Sequence, residues 1–254
     1  MVASMQSGPT VMMIRDDNAT ARCMRLAVGL RETDLEQVNG LDPGAVAAWE
    51  ECRAPVADAT IDQLTAFTVT AATLTATLIE RAAETGQIDT FLDDAMTLAA
   101  TDGQLAFAAV HRACAGRAAV AVPDATVLLH DPAGTPRPGW MAALCAAHGL
   151  GMGHVRKWFD VPRRTASWWL TGVRPAPAGV LDEIHTLIAT AREHVDKLVT
   201  LVDAERDPIV WVCATEQQME RRWPELDHMP LPTHQICAAR AAAVSQAQLA
   251  FHAD

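Results

Sequence analysis

The sequence predicts a mainly α-helical protein built from two similar halves, and three observations carry that reading. First, Gly29–Cys52 (GLRETDLEQVNGLDPGAVAAWEEC) is echoed by Gly149–Gly172 (GLGMGHVRKWFDVPRRTASWWLTG). Each copy opens with Gly-Leu and places apolar residues at its seventh (Leu35, Val155) and thirteenth (Leu41, Val161) positions. Each reaches a tryptophan, Trp49 or Trp169, nineteen residues after its leucine. Second, HRACAGRAA from His111 returns as HQICAARAA from His234. The two echoes are offset by 120 and 123 residues, which one insertion of about three residues reconciles, so a unit of about 120 residues is duplicated. Third, apolar residues recur at helical spacing over long stretches, interrupted by glycine and proline.

The elements follow in order. Residues 1–18 lack periodicity and read as a flexible arm. A helix over 19–30 carries Cys23, Leu26, Ala27 and Leu30 on one face, and a short one covers 33–39. Gly40-Leu41 makes a turn; Asp42 as N-cap and Pro43 as first helical residue start a third helix that ends near Cys52. A long helix over 57–85 stops at Gly86. Residues 88–119 read as two helices and Val127–Leu129 as a short strand. Asp131–Gly139, with three prolines and two glycines in nine residues, reads as a linker.

The second half repeats the order with helices over 140–149, 152–159 and 162–171, closed by Pro175 and Pro177. A helix over 178–205 aligns Leu181, Ile184, Ile188, Ala191, Val195, Leu198 and Val202 in one stripe. Ile209–Cys213 reads as a strand, 215–223 as a helix and 233–251 as a last, alanine-rich helix. The implied organisation is an arm (1–18), a first unit (19–130), a linker (131–139) and a second unit (140–254).

Composition narrows the function. The net charge of −11 argues against an indiscriminate nucleic-acid binder, whose affinity would come from neutralising phosphates. The charge is uneven, however: residues 1–130 carry −9 and 131–254 carry −2. Within 137–174 six basic residues face one acid, Asp160, for +5, while the equivalent 22–55 carries −2. A local field of that kind governs how one face docks. The six cysteines form no CxxC pair, no signal peptide is recognisable and no run of about eighteen apolar residues is present. The expectation is a cytoplasmic protein with free, mostly buried thiols and no membrane partner.

Two short helices crossing at a tight turn need a small turn residue, apolar contacts and an N-cap. The first copy offers Gly40, Leu35, Val38, Leu41, Val46, Trp49 and Asp42; the second offers Asp160, Val155, Trp158, Phe159, Val161, Ala166 and Trp169. Over about 45 residues in each half this spacing resembles the Cro/C1 (Xre) family of helix-turn-helix regulators. That family has a Gly-Leu-Ser-Gln start, then Leu-Ala, then Gly-Val-Ser, and a third helix ending Trp-Glu-Arg-Gly. Trp49-Glu50-Glu51-Cys52 and Trp169-Leu170-Thr171-Gly172 stand at the last of these places. Glu36 and Arg156 replace the family's small alanine, and Asp160 replaces its turn glycine in the second copy, so that either the helix crossing is somewhat altered or the long side chains snorkel outward. The stretch from 178 onward also resembles the dimerisation region of phage and bacterial autorepressors, including anti-CRISPR-associated ones.

The resemblance implies that the third helix of each unit reads base edges in the major groove of double-stranded DNA. In the first copy Pro43, Gly44, Ala45, Ala47 and Ala48 offer no side-chain donor, and Glu50 and Glu51 repel phosphate. In the second copy Arg163, Arg164, Thr165, Ser167 and Trp168 stand there, with His154, Arg156, Lys157, Arg174 and Arg137 along the expected phosphate path. The expectation is therefore a sequence-specific transcriptional repressor with an active second unit and a degenerate first one. It pairs either as a homodimer through the strand 209–213 or within one chain as a pseudo-dimer.

The alternative is a protein-interaction or antitoxin-like module that keeps the scaffold and holds a basic partner on its acidic first half. His111-x-x-Cys114 and His234-x-x-Cys237, with Cys213 and His228, match no zinc ligand spacing, and small-residue helix packing explains them better. Adjacent acids such as Glu50-Glu51 and Asp93-Asp94 diverge by about 100° on a helix and read as solvated faces. With no phosphate-binding glycine loop, nucleophile elbow or triad, no enzyme activity and no cofactor are expected.

Overall fold

A computed structural model of the chain describes residues 16–203 and 208–252, so most of the arm expected at 1–18 lies outside the described residues. Its end is helical instead: Asp16 accepts the Ala19 N–H at 3.0 Å and caps α1 (Asp17–Val28). The first half continues with α2 (Glu32–Asn39), α3 (Ala45–Glu50), α4 (Asp58–Thr85), β1 (Gln87–Phe91), α5 (Asp94–Ala100), α6 (Ala108–Ala121) and β2 (Thr126–His130). After β3 (Arg137–Pro138) the second half presents α7 (Trp140–Ala147), α8 (Met152–Trp158), α9 (Arg163–Leu170), α10 (Ala178–Asp203), β4 (Ile209–Val212), α11 (Glu216–Arg222), α12 (Leu231–Ser245) and β5 (Gln248–Phe251). The fold is mainly helical, and its second half runs through the same order of elements as its first.

Three strands replace what the sequence suggested. β1 lies where a helix was expected, β5 replaces the end of the last helix, and β3 occupies the expected linker. β1 pairs parallel with β2 from Gln87↔Thr126, and β4 pairs parallel with β5 from Ile209↔Gln248. Each half thus ends in strand, two helices, strand, with the helices supplying the crossover that a parallel pair requires. β3 adds antiparallel to β2, so the chain between the halves is pinned to the first sheet and not free.

Matching positions make matching bonds. The Cys114 thiol on α6 donates to the Ala71 carbonyl on α4, and the Cys237 thiol on α12 donates to the Ala191 carbonyl on α10, both at 3.4 Å. Arg112 donates to the Phe91 carbonyl at 2.8 Å and Gln235 to the Cys213 carbonyl at 2.9 Å, each tying the half's last long helix to its first strand. The His-x-x-Cys echoes are thus packing positions inside alanine-rich helices.

The halves interlock. α1 packs on α12 and β5 of the other half, and α7 packs on α6 and β2 of the first. Small residues permit this approach: a Cβ on Gly116 of α6 would lie 2.1 Å from the Ala143 carbonyl oxygen of α7, so the two backbones nearly touch. One buried apolar cluster runs through both halves, from Leu35, Val46 and Leu64 to Val155, Ala166 and Ile184. Among the described residues no helix is long and apolar enough to cross a membrane.

Candidate nucleic-acid interface

The two short-helix corners have the same local construction. The chain leaves α2 through Gly40 (φ 61°) and α8 through Asp160 (φ 45°), both left-handed, a conformation that aspartate tolerates better than most residues. The next N–H folds back in each: Leu41 to the Glu36 carbonyl at 2.9 Å, Val161 to the Arg156 carbonyl at 3.2 Å. Residues 41–50 and 161–170 match position by position in burial, with Val46 and Trp49, or Ala166 and Trp169, facing inward. In the second corner Phe159 stacks on Trp158 (centroids 5.2 Å) and meets Trp169 edge-on at 6.1 Å.

The start of α3 corrects one expectation. Asp42 does not cap it; the helix begins at Ala45 behind Gly44. The cap comes from Glu36 on α2, which is buried and accepts the Gly44 N–H at 2.7 Å and the Val46 N–H at 3.4 Å. Glu36 therefore points into the corner and does not snorkel outward, whereas its counterpart Arg156 is exposed. Glu50 also departs from its expected solvated, phosphate-repelling role. It is nearly buried and ion-paired with Arg25, itself held to the Leu30 carbonyl at 2.7 Å, with Arg22 beside it at 3.7 Å.

In the second corner Arg163 and Arg164 are exposed at the start of α9. Pro162 supplies the N-terminal turn, its carbonyl accepting the Thr165 and Ala166 N–H groups at 2.9 and 3.2 Å. Trp168 is half-buried and forms a platform: the Arg174 guanidinium lies 4.0 Å and that of Arg164 4.6 Å from its ring centre. Stacking of this kind orders two long side chains while leaving their N–H groups free. Among the described residues none of Arg156, Arg163, Arg164 and Arg174 has a carboxylate partner, so four uncompensated positive charges flank one short helix. The helix dipole adds partial positive charge where Arg163 and Arg164 stand. At the matching places the first half has Glu36, Pro43, Gly44 and Ala54. Thr165 and Ser167 are half-buried on the same helix.

Three of the expected phosphate contacts have other partners. Lys157 is exposed and pairs with Glu216 of α11 at 3.6 Å. His154 accepts the Gly151 N–H at 3.1 Å, and burial holds its imidazole below the ordinary range, with Glu216 opposing and Lys157 reinforcing that shift. Arg137 pairs with Asp131 and donates to the Thr171 carbonyl at 3.5 Å, fastening β3 to the end of α9. What remains is Arg164 and Arg174 gathered on Trp168, with Arg163 exposed beside them at the start of α9 and Arg156 exposed on α8. Among the described residues no three potential metal ligands cluster. No protein-family model, curated protein or solved structure matches this chain.

Proposed function

We propose that the protein is a sequence-specific double-stranded DNA-binding regulator, a repressor acting by occupancy, and that α1–α3 and α7–α9 are helix-turn-helix units of the Cro/C1 type. The observation that carries this reading is the exposed arginine cluster on α9, set on a corner built like that of α2–α3. An unpaired, exposed arginine at a helix start offers its fork of donors outward, and guanine O6 and N7 accept two bonds from such a fork. Arg163 and Arg164 are assigned to base edges, Ser167 and Thr165 to neighbouring polar contacts, and Arg156 and Arg174 to flanking phosphates. The first unit, with Glu36 turned inward and no donor on α3, serves the architecture. The alternative of a protein-holding acidic first half is weakened because Glu50 is consumed by Arg25.

The test begins with selection of a binding site from random duplex DNA, followed by polarisation titrations. Each good arginine–guanine pair contributes roughly 1–3 kcal/mol of discrimination, so Arg163→Ala with Arg164→Ala should weaken binding to the selected site by tenfold or more. Phosphate contacts by Arg156 and Arg174 should instead set the salt slope, which should flatten by about one unit for each removed. Unchanged affinity in the double variant, or failure to enrich any sequence, overturns the proposal.

A further inference from the structure

A cavity of about 760 Å³ opens between the two halves, bounded by α1, α4, α6, α12 and β5. Its volume is that of an ordinary small-molecule site. The walls are mainly apolar, formed by Met24, Val28, Ile79 and Leu249 with many alanines, and Thr20, Thr68, Thr75 and Gln248 complete the lining. Two charged side chains line it, Arg117 and Arg240, which occupy the same position of the repeated HRACAGRAA and HQICAARAA segments.

Each guanidinium has a structural bond. Arg117 donates to the Ala27 carbonyl at the end of α1, and Arg240 to the Ala147 carbonyl at the end of α7, 3.2 Å away. Those bonds use a fraction of the five N–H donors that each side chain carries. Neither has a carboxylate partner among the described residues, and the charges nearest Arg240 are positive: Arg117, then Arg192, which is fixed to the Val120 carbonyl at 3.2 Å. Burial first, then these like charges, hold the Arg240 guanidinium below its ordinary value, and burial does the same to Arg117. Cations gathered in an apolar cavity, in a chain of net charge −11 with many acids to choose from, call for an anion from outside.

We propose that this cavity binds a small organic carboxylate with an apolar body, a medium-chain fatty acid or similar, its carboxylate held by Arg117 and Arg240 and its hydrocarbon by the walls between α1 and α4. A guanidinium pair matches the two oxygens of a carboxylate, and the alanine lining leaves room for an alkyl chain. The site is independent of the DNA-binding reading, and its test involves no DNA.

The full chain is titrated calorimetrically with hexanoate, octanoate and decanoate below their micelle thresholds, with octanamide and octylammonium as neutral and charge-reversed controls. One carboxylate is expected to bind one to one and to raise the melting temperature, with octanamide at least tenfold weaker and octylammonium silent. Arg240→Gln should lower affinity tenfold or more. Because Arg240 also secures α7, a second variant leaves both arginines in place: Ala72→Phe, on the exposed wall of α4, should fill the cavity and abolish binding while the melting temperature of the free protein is retained. Carboxylate binding equal to that of octanamide, binding that survives Ala72→Phe, or no heat and no melting shift with any of the three acids overturns the proposal.

Discussion

Cys52 and Gly172 close the same turn after α3 and α9, at φ 56° and 66°. Only glycine adopts this conformation without crowding its own Cβ, which costs a side chain about 1 kcal/mol. Cys52 carries that strain in an exposed turn, so Cys52→Gly should stabilise the protein by up to about 1 kcal/mol in urea unfolding, and a loss of stability would contradict this. Gly172→Ala should do the opposite and more strongly. Its Cβ would lie 2.7 Å from the Pro138 carbonyl oxygen and 2.9 Å from the Arg137 Cβ, adding overpacking of about 1–3 kcal/mol to the backbone strain. At this scale the sequence was legible where a residue has one physical use: Trp49 and Trp169 as inward anchors, Gly86 as a helix stop. It was not legible where long-range partners decide. Asp42 has the right chemistry for a cap, but Glu36 reaches the same N–H groups from a neighbouring helix, and Glu50 is claimed by two arginines thirty residues away in sequence or nearly so.

Among the elements, α9 joins sequence pattern to the candidate interface most directly. Trp168 fixes the directions of Arg164 and Arg174, so Trp168→Ala should leave the fold intact while allowing both arginines to roam. A cation–π contact at an exposed site is worth about 0.5–1 kcal/mol, which predicts a several-fold loss of DNA affinity with the salt slope unchanged. A loss of the same size in melting stability would show instead that Trp168 serves packing. The helices were largely readable because their apolar stripes are long and their ends are marked by glycine and proline. The strands were not. β1 alternates inward Ile88 and Thr90 over only five residues, three of which are polar, too short a run for a period of two to stand out. β5 follows the alanine-rich α12 with no glycine between them, because Gln246 itself takes the left-handed cap at φ 52°. Parallel pairing across a crossover leaves no turn signature in the local sequence, so β1 and β5 emerge only when their partners are in place.

For the whole molecule, four histidines with almost no exposure tie stability to pH. His111, His148 and His194 are held down to about 4 and His234 to about 3, in every case chiefly by burial. His234 Nε2 accepts the Cys213 N–H at 3.1 Å, so its proton sits on Nδ1 and is shared with His194 Nε2 at 2.8 Å. A further proton on either ring breaks that chain. The folded protein therefore stays neutral at these sites while the unfolded chain binds protons below about pH 6.5. Stability is complete above that pH and falls as the medium is acidified toward 4, with each histidine contributing up to about 1.4 kcal/mol per pH unit. Urea midpoints should be level between pH 7 and 8 and drop clearly by pH 5; a flat profile would refute this. The order of elements was visible in the repeated sequence, but the way α1 and α7 cross to the opposite half was not. It depends on contacts far apart in the chain: Gly116 of α6 meets Ala143 of α7, and α1 meets α12 and β5 about two hundred residues on.

That crossing has a consequence for dosage. Two subunits that meet only at sufficient concentration impose a threshold on whatever they control, and every residue at their contact must work from both sides of an isologous surface. Here the two halves belong to one chain, so the contact of α1 with α12 and of α6 with α7 forms without any dependence on concentration. Freed from self-complementarity, one half can carry an acidic corner around Glu36 and Glu50 while the other accumulates arginine, an inequality that a symmetric pair of identical chains has no means to express.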